Sequence, residues 1–310
     1  MIRLFIDGGA GTTGLEIRER VADRKDIALV TIPDAQRKDA AARADALNGA
    51  DAVILCLPDD AAREAVSLIA NDTTKVIDAS TAFRTHPDWA YGFAELEPGN
   101  RARLEQATRI SNPGCYPTGF LALVRPLVRA GILPAGLALS VNATSGYSGG
   151  GKAMIAAFED ARAPDATDTA FRIYALGLGH KHVPEMQTHA GLAHPPVFMP
   201  AVARTYRGML VEVPLHLHLL NGSVADIRAA LADAYTGSTV VRVGGSDSKL
   251  LTLEHCAGTD RLELFVFADE TAGHVRLVAA LDNLGKGAGG AAVQNLNIAM
   301  GLEESIGLRL

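Results

Sequence analysis

A glycine-rich turn close to the first residue constrains the fold of this chain more than any other feature. The turn Gly9-Ala10-Gly11-Thr12-Thr13-Gly14 follows a short apolar run over residues 1–7 and precedes a helix-like segment over 15–22. In this spacing the first glycine permits a tight turn, the second lets a pyrophosphate approach the backbone, and the third lets the helix pack closely. The helix N-terminus would then face the phosphates. A glycine-rich connection without a ligand is the alternative, but the strand–turn–helix context favours a dinucleotide-binding site.

Short apolar runs alternate with helix-like segments through the first third of the chain. The runs at 27–32, 52–57 and 75–79 are separated by sequence of helical character, such as residues 61–70. Strands that alternate with helices indicate a parallel sheet covered on both faces. After Pro196 the runs become longer and alternate between apolar and polar residues, which is typical of an antiparallel or mixed sheet. These longer runs lie at 209–219, 238–243 and 262–268.

Length, charge and cysteine content narrow the class of protein. A chain of 310 residues is long enough for two packed domains. The formal charge of −6 and the lack of a long basic run argue against nucleic acid and anionic membranes as partners. No stretch reaches the roughly 20 apolar residues of a spanning helix, and the N-terminus lacks a signal-peptide pattern. Three widely spaced cysteines argue against a disulfide framework. Together these features predict a cytoplasmic protein.

The loop after the second apolar run bears on the choice of dinucleotide. Asp34 lies 20 residues after Gly14, where an acid can bind the ribose hydroxyls of NAD. Arg37 and Lys38 follow in the same loop and could hold the 2′-phosphate of NADP. A solvated charged loop would have the same composition. The loop alone therefore leaves NAD and NADP open.

The segment from Ser111 to Gly119 has the features of a nucleophile loop. It reads Ser-Asn-Pro-Gly-Cys-Tyr-Pro-Thr-Gly and leads into an apolar helix predicted over 117–130. Cys115 is predicted just before the helix N-terminus, whose dipole favours a thiolate. Local N–H groups and the side chain of Asn112 could receive an oxyanion. The other two cysteines, Cys56 and Cys256, lie in sequence that suits buried packing, so Cys115 is the predicted nucleophile.

A histidine-rich motif over residues 179–185 is the best candidate for proton transfer. We expect His180 to shuttle protons and Glu185, in the first turn of a following helix, to orient it; His182 is the alternative shuttle. The three side chains could also bind zinc, but no further Cys or His pair at a usual spacing supports this, so no metal is predicted.

Two polar segments are suited to bind anions. The first, residues 78–84, follows a strand end and offers Ser80 and Arg84. The second, residues 145–152, offers backbone N–H groups, the Ser148 hydroxyl and the Lys152 cation. The strand end that precedes the first segment is the usual ligand edge of an open parallel sheet. Either segment could instead be a flexible turn.

Taken together, these motifs resemble the semialdehyde dehydrogenase superfamily and, within it, the shorter class of N-acetyl-gamma-glutamyl-phosphate reductases. The motifs that carry the resemblance run in the expected order over nearly the whole chain. They are Gly9–Gly14, Asp78–Arg84, Tyr91–Glu95, Asn112–Thr118, Ser145–Lys152, His180–Glu185 and the helix-like Gly287–Leu302. The Asn-Pro-Gly-Cys-Tyr-Pro-Thr and His-Lys-His-Val-Pro-Glu motifs are specific, whereas the glycine turn alone is not.

The resemblance implies an α/β fold in two domains. A Rossmann-type parallel-sheet domain is expected over 1–114, with the C-terminal helix of 285–310 returning to it. An α/β catalytic and dimerisation domain with a largely antiparallel or mixed sheet is expected over 115–284. The resemblance also implies a homodimer or homotetramer.

The resemblance further implies the chemistry. Cys115 would attack N-acetyl-glutamyl 5-phosphate, and NADPH would reduce the thioester to the 5-semialdehyde, in arginine biosynthesis. Substrate-binding residues would be Ser80, Arg84, Ser148, Lys152 and His182. Leu57, Pro58 and Asn295 would join the glycine turn in binding NADP.

Two alternatives stay open at this point. The same chemistry on aspartyl or aminoadipyl phosphate is one. The aspartate enzyme lacks the His-Lys-His-Val-Pro-Glu motif in this form and ranks lower, whereas one methylene changes pocket discrimination by only about 1–3 kcal/mol, so the aminoadipyl substrate is harder to exclude. A non-catalytic NADP-binding sensor is the other.

Overall fold

The computed structural model describes residues 1–37, 39–245 and 248–310, and of Asp34 only the backbone. The strands are β1 Ile2–Asp7, β2 Ile27–Val30, β3 Ala52–Leu55, β4 Lys75–Asp78, β5 Ala90–Tyr91, β6 Arg109–Ser111, β7 Ser140–Gly146, β8 Phe171–Ile173, β9 Val197–Ala203, β10 Met209–His216, β11 Val241–Val243, β12 Leu262–Asp269 and β13 His274–Leu281. The helices are α1 Thr12–Val21, α2 Ala40–Gly49, α3 Asp59–Ser67, α4 Asn100–Gln106, α5 Cys115–Arg129, α6 Gly151–Glu159, α7 Val183–Ala190, α8 Val224–Ala234 and α9 Gly290–Ala299.

The chain divides into two units. Unit 1 comprises Met1–Ala94, Gly99–Pro113 and Ala288–Leu308. Unit 2 comprises Glu95–Pro98, Gly114–Gly287 and Arg309–Leu310. Within the described residues, no helix has the length and apolar character to cross a membrane.

Unit 1 is built on the parallel sheet that the alternating runs predict. Its strand order is β2-β1-β3-β4-β6-β5, and every neighbouring pair is parallel. Successive side chains of a strand point to opposite faces. Accordingly, Leu4 and Ile6 of β1 pack in a core with residues of α1 and α9, whereas Phe5 packs in a second core with residues of α2. Apolar helices on both faces explain why these strands are almost uninterruptedly apolar.

The C-terminal helix α9 is part of unit 1. All its residues are buried, and Val293 and Leu296 belong to the same core as Leu4. Its buried amide residues Gln294, Asn295 and Asn297 are hydrogen-bonded, as buried polar side chains require.

Unit 2 has a mixed seven-stranded sheet of order β11-β12-β13-β10-β7-β9-β8. The β11/β12 and β7/β9 pairs are parallel, and the other neighbours are antiparallel. Helix α5 packs on one face of this sheet, and Gly119 allows the close approach because a Cβ there would lie 2.8 Å from Cγ2 of Val211. The predicted combination of a parallel and a largely antiparallel or mixed sheet is confirmed.

The opposite face of this sheet is only partly covered, and we call its exposed part the open face. The strand register assigns it Asn142, Thr144, Phe171, Ile173, Val197, Met199, Glu212, Pro214, His216, His274 and Arg276. Near β12, Cys256 and Leu251 pack over Phe265 and cover this side of the sheet. Several apolar side chains of the open face are exposed, which is uncommon for the surface of a sheet that has no partner.

Candidate active site

Cys115 is the first residue of α5, not a residue that precedes the helix as the sequence predicts. Gly114 is the N-cap, in an extended conformation, and no side chain caps this end of the helix. The helix starts early because Pro117 fits its first turn without losing a hydrogen bond, and the Thr118 N–H and hydroxyl both donate to the Gly114 carbonyl, at 2.9 and 2.8 Å. The half-buried Cys115 thiol therefore lies at the positive end of a helix of 15 residues, which favours the thiolate.

Glu185 fixes the backbone beside the nucleophile. Its Oε1 accepts a hydrogen bond of 2.8 Å from the N–H of Gly114, and its side chain is almost fully buried at the start of α7. A charge-assisted bond to a buried N–H is among the stronger hydrogen bonds in proteins. The sequence predicts that Glu185 orients a histidine, and that stays a prediction. The bond to Gly114 is a role that sequence reasoning missed.

Gly287 approaches Cys115 from the other end of unit 2. A Cβ on Gly287 would lie 2.9 Å from Cβ of Cys115 and 2.9 Å from the carbonyl oxygen of Asp282. Gly287 sits in a single π-helical turn, Gly285–Gly289, where Lys286 is buried and donates to both carboxylate oxygens of Glu95 at 3.0 and 3.2 Å. Such turns are rare and occur often at functional sites. The run of glycines at 285–290 is the sequence signal that could have identified it.

Two tyrosines lie next to the nucleophile. The Tyr116 hydroxyl donates to the Ala201 carbonyl at 3.3 Å, and the Tyr174 hydroxyl donates to the Tyr116 hydroxyl at 3.2 Å. Burial raises the pKa of Tyr174 to about 12, and the negative charge of a Cys115 thiolate acts in the same direction. Both tyrosines are therefore neutral at physiological pH, and their hydroxyl protons are used in the bonds to the Ala201 carbonyl and to the Tyr116 hydroxyl.

His180 packs edge-on against both tyrosine rings, with centroid distances of 6.2 Å to Tyr116 and 5.9 Å to Tyr174. Burial lowers its pKa, and the positive charge of Lys181 lowers it further, so the ring is neutral near pH 7. Its Nδ1 accepts a hydrogen bond of 3.2 Å from the backbone N–H of His182. Since a backbone N–H can only donate, the proton of the neutral ring is on Nε2. His180 can thus donate a proton or a hydrogen bond through Nε2.

His182 is the N-cap residue of α7 and is buried. Its ring lies edge-on to Tyr116, at a centroid distance of 5.8 Å, and 4.8 Å from the His180 ring. The predicted residues Cys115, His180, His182 and Glu185 thus come together around Tyr116 within unit 2.

Ser148 is buried in the 3₁₀ turn Tyr147–Gly150 that follows β7, in a segment that the sequence predicts to bind anions. Its hydroxyl accepts a hydrogen bond of 2.8 Å from Nδ2 of Asn283, whose Oδ1 accepts one of 2.9 Å from the N–H of Gly208. Beside Gly208, Arg207 lies 3.4 Å from the buried carboxylate of Asp282. Sequence reasoning missed Asn283 and Arg207. Lys152 is exposed in the first turn of α6.

The glycine turn of unit 1 has the close contacts that a dinucleotide cradle requires. Gly8 has φ of +80°, and a Cβ on Gly14 would lie 2.6 Å from Cα of Gly9. The turn leads directly into α1, which begins at Thr12 and Thr13 without a side-chain cap, so its first N–H groups can bind phosphate oxygens.

A cavity of about 400 Å³ adjoins this turn at the ends of β1 and β2. Its lining includes Gly9, Arg18, Arg37 and Leu57. Sequence reasoning missed Arg18, which lies so close that a Cβ on Gly9 would be 2.6 Å from its Nε. Two arginines beside a phosphate-binding turn fit a dinucleotide with an extra phosphate. Lys38, predicted to share this task, lies outside the described residues.

The predicted anion-binding residues of residues 78–84 are engaged at the strand ends of unit 1. The Ser80 hydroxyl donates to Asp78 at 2.6 Å, and Arg84 donates to the carbonyls of Asn112 and Ala79 at 3.0 and 3.1 Å. Burial raises the pKa of Asp78 to about 6. These bonds order the strand ends, and substrate binding by Ser80 and Arg84 stays a prediction.

Asn112 and Asn295 form one buried network in unit 1. Asn295 donates to the Asn112 side-chain oxygen at 3.0 Å and to the Gly92 carbonyl at 2.9 Å, while Asn112 donates to the Ala288 carbonyl at 3.1 Å. Pro58 is the N-cap residue of α3. The predicted oxyanion role of Asn112 and the cofactor roles of Asn295 and Pro58 stay predictions.

Possible metal ligands occur at a different place. Within the described part of the chain, one group of three such side chains has its ligand atoms within 4.8 Å, namely His255, Cys256 and Glu263. None of them is a predicted site residue.

Solved structures share this fold. Aspartate semialdehyde dehydrogenase from Francisella tularensis matches with a TM-score of 0.71 and 15% identity, over 97% of this chain and all of that chain. Aspartate semialdehyde dehydrogenase II from Vibrio cholerae, complexed with ASA, matches with a TM-score of 0.70 and 15% identity over 97% of this chain and 98% of that chain. The enzyme from Candida albicans, solved with NADP, matches with a TM-score of 0.65 and 14% identity, over 97% and 99%. The fold is that of the semialdehyde dehydrogenases.

Sequence comparison defines the family more narrowly. Residues 19–107 match the family model of the semialdehyde dehydrogenase NAD binding domain, and residues 115–283 match that of the dimerisation domain. The N-acetyl-gamma-glutamyl-phosphate reductases of Brucella ovis and Brucella canis are each 53% identical over 306 residues, which cover 96% of this chain and 99% of each relative. The chain belongs to the semialdehyde dehydrogenase family and, within it, to the N-acetyl-gamma-glutamyl-phosphate reductases.

Proposed function

We propose that this chain reduces N-acetyl-gamma-glutamyl phosphate to N-acetylglutamate 5-semialdehyde with NADPH, through a thioester on Cys115, as a step of arginine biosynthesis. The observation that carries the proposal is the position of Cys115 at the N-terminus of α5, beside the bond between Glu185 and Gly114. A cysteine in this position can be a thiolate at neutral pH without a strong base next to it. The 53% identity to reductases of that name supports the substrate.

The first half of the reaction is acyl transfer to Cys115. The thiolate attacks the acyl carbon, the carbonyl oxygen takes the negative charge, and the C–O bond to phosphate breaks to leave a thioester and inorganic phosphate. The backbone N–H groups at the start of α5, which no side chain caps, would receive the oxyanion. Glu185 contributes by holding the Gly114 peptide, and therefore the direction of these N–H groups.

The second half returns the thiolate. NADPH, when bound, would supply the hydride that reduces the thioester carbon. His180 stabilises the resulting alkoxide by donating from Nε2, and the C–S bond breaks as the aldehyde forms. Because the pKa of His180 is lowered, the neutral ring with its Nε2 proton is the form present at working pH.

The cofactor is bound by unit 1. The N–H groups of the glycine turn and of the start of α1 would hold the pyrophosphate. Arg18 and Arg37, which line the adjoining cavity, would hold the 2′-phosphate and so favour NADP over NAD. Within unit 2, we assign Ser148 and His182 to the substrate, with Arg207 and Lys152 as cations for its anionic groups.

The assembly and location follow the same reasoning. We propose a homodimer or homotetramer whose subunits meet through the open face, since the family model over 115–283 describes a dimerisation domain. We also propose a division into a cofactor domain of 1–114 with 285–310 and a catalytic domain of 115–284. The widely spaced cysteines support a cytoplasmic location.

A spectrophotometric assay of the reverse reaction tests the proposed function. N-acetylglutamate semialdehyde, phosphate and NADP are supplied, each is omitted in turn, and Cys115→Ser is assayed beside the native chain. Formation of NADPH that requires phosphate and Cys115 is the expected result. Activity only with aspartate or aminoadipate semialdehyde would move the assignment to those substrates, and no activity with any of the three would favour an NADP-binding sensor.

A further inference from the structure

Three side chains that can bind a metal ion come together beside β12 of the unit 2 sheet. They are His255, Cys256 and Glu263, and we call them the β12 cluster. One ligand atom of each lies within 4.8 Å of the other two, and Nε2 of His255 is 2.7 Å from Oε2 of Glu263. The reaction proposed for Cys115 uses none of the three, so the cluster has no role in it.

A strand and a turn present these ligands at one place. Glu263 and Phe265 share a face of β12, since alternate residues of a strand point to the same side. Strand β12 is hydrogen-bonded on both sides, to β11 and β13. Cys256 is buried against Phe265, and the ring of His255 packs edge-on to Phe265 at a centroid distance of 5.5 Å. Packing on one aromatic ring therefore holds the turn next to the carboxylate of the strand.

The turn that carries His255 and Cys256 is also held by its own hydrogen bonds. The N–H and the hydroxyl of Thr259 both donate to the Cys256 carbonyl, at 3.1 and 2.8 Å. The N–H of Gly258 donates to the buried carboxylate of Asp282 at 2.5 Å. Two of the three ligands therefore occupy fixed backbone positions before an ion binds, which reduces the entropic cost of binding.

The donor atoms of the β12 cluster suit Zn²⁺. One imidazole nitrogen, one sulfur and one carboxylate oxygen are the three ligand types that Zn²⁺ takes in proteins, and a water completes the tetrahedron. A sulfur ligand disfavours Mg²⁺ and Ca²⁺, which prefer oxygen. The guanidinium of Arg261 lies 3.8 Å from Oε1 of Glu263, so Oε2 is the oxygen that faces the other two ligands.

Small movements convert the present geometry into a tetrahedral site. Zinc bonds of about 2.0–2.3 Å place neighbouring ligand atoms about 3.3–3.6 Å apart. The distance between His255 and Glu263 must then increase from 2.7 Å to about 3.3 Å, and no distance to Sγ of Cys256 has to shorten by more than about 1.3 Å. His255 is exposed, so its side chain can make this adjustment, and the ion can enter from the same side.

We propose that His255, Cys256 and Glu263 form a Zn²⁺ site, with water as the fourth ligand, which ties the turn over residues 252–259 to β12. On binding, the thiol releases its proton to solvent and His255 coordinates as neutral imidazole, so the thiolate and the carboxylate balance the charge of the ion. Without the ion the thiol is protonated, because burial raises the pKa of Cys256 to about 12 and the charge of Glu263 acts in the same direction.

The role of this ion is structural. The turn packs closely on Gly208, because a Cβ there would lie 2.3 Å from the carbonyl oxygen of Leu253. It also donates to Asp282 through Gly258. An ion that links the turn to β12 should therefore stabilise this part of unit 2 against unfolding, without taking part in the reaction.

A Co²⁺ titration of metal-free chain tests the site. Tetrahedral Co²⁺ replaces Zn²⁺, and a thiolate ligand gives it a charge-transfer absorption in the near ultraviolet. Cys115→Ser is the starting chain, because Cys115 lies close to two histidines and could bind an ion itself. We expect this absorption to saturate at one equivalent of Co²⁺ and to disappear when Zn²⁺ is added. No such absorption, or an equal one in Cys115→Ser/Cys256→Ala, would overturn the proposal.

The other two ligands are tested in the same Cys115→Ser chain. Loss of a group that only orients a ligand costs about 10- to 100-fold in metal affinity, so His255→Ala and Glu263→Gln should each raise the Kd for Co²⁺ at least tenfold. His274→Ala is the matched control, since His274 is an exposed histidine at the start of β13, and it should leave the Kd unchanged. His255 lies at the surface, so its variant should fold even if the buried Cys256→Ala does not, and circular dichroism checks this. An unchanged Kd in His255→Ala would overturn the proposal.

Thermal unfolding measures the structural role. Zn²⁺ should raise the thermal midpoint of Cys115→Ser and leave that of Cys115→Ser/His255→Ala unchanged, because only the first chain keeps all three ligands. Equal shifts in both chains would contradict the site. These readouts need no turnover, so they hold whether or not the chain reduces the proposed substrate.

Discussion

A methyl group at residue 287 should displace the nucleophile. In Gly287→Ala the new Cβ would lie 2.9 Å from Cβ of Cys115 and 2.9 Å from the Asp282 carbonyl oxygen. Carbon atoms in contact prefer about 3.5–4.0 Å, so Cys115 or the turn must move by roughly 0.6–1 Å. The carbonyl oxygen blocks the opposite direction, and Lys286 is held by Glu95, so the turn has little freedom. Most of the shift should therefore fall on Cys115.

The size of the effect follows from the size of this shift. A misplacement of about 1 Å at a reacting group can reduce the rate about 100-fold. Overpacking a buried position also costs about 1–3 kcal/mol of folding free energy. We therefore expect kcat of Gly287→Ala to fall about 100-fold in the reverse assay, with folding retained and the thermal midpoint lowered. The alkylation rate of Cys115 with iodoacetamide should change as well, because the thiolate leaves its position at the helix end.

Gly136→Ala is the control for this prediction. A Cβ on Gly136 has no heavy atom within 4 Å, and its φ is not in the left-handed region, so alanine should be neutral there. Native kcat and native alkylation kinetics in Gly287→Ala would refute the argument, because they would show that the π-helical turn and Cys115 do not share a fixed packing contact.

Three further predictions concern the surroundings of the two sites. Glu185→Ala leaves the buried Gly114 N–H without its acceptor and should lower the free energy of unfolding by about 1–3 kcal/mol, whereas Glu185→Gln keeps an acceptor and should lose less; equal losses in urea unfolding would contradict this role. Arg18→Ala and Arg37→Ala should each raise KM for NADP about 10- to 100-fold and leave KM for NAD unchanged, and a parallel rise for both dinucleotides would exclude a 2′-phosphate contact. Asp78 has a pKa raised from 3.8 to about 6 by burial, so the folded chain holds this proton more tightly and its contribution to stability is lost as pH rises through about 6. Asp78→Asn should therefore gain up to about 3 kcal/mol at pH 8 over the native chain and little at pH 4, and a gain that is independent of pH would refute this account.

The fold of unit 1 could be predicted because local pattern and tertiary role agree there. The runs at 27–32, 52–57 and 75–79 are largely apolar without alternation, which is typical of strands in a parallel sheet that is covered on both faces. Strands β2, β3 and β4 form within these runs. The glycine turn is likewise local, and its function depends on the strand and helix that flank it directly.

The edge of the unit 2 sheet could not be predicted in the same way. Strand β8 has three residues, too few for a visible alternation, and β9 contains Pro200, which normally argues against an interior strand. Pro200 is accepted because its carbonyl still takes the N–H of Tyr174, even though its nitrogen cannot donate. The edge strand β8 therefore depends on pairing with a segment that is distant along the chain. The glycines near β8 are the only local signal that the sequence gives for it.

The candidate active site combines residues that a local sequence pattern identifies with residues that come together from distant parts of the chain. The Cys115 loop carries its own signal, since proline, glycine and a following apolar helix are all local, and only the helix start was wrong by two residues. The partners that shape it are distant along the chain: Glu185 binds a residue 71 positions away, and Gly287 meets Cys115 from the far end of unit 2. The sequence identifies Glu185 as a functional carboxylate but not the group that it binds. A histidine close by in the sequence is the obvious partner, whereas Gly114 is distant along the chain. What decided its contact was the buried N–H of Gly114, which needed an acceptor once the helix began at Cys115. A helix whose first residue is the nucleophile leaves the N–H of Gly114 in need of an acceptor, and no local sequence pattern shows that a carboxylate will supply it. The reactivity of Cys115 depends on this hydrogen bond.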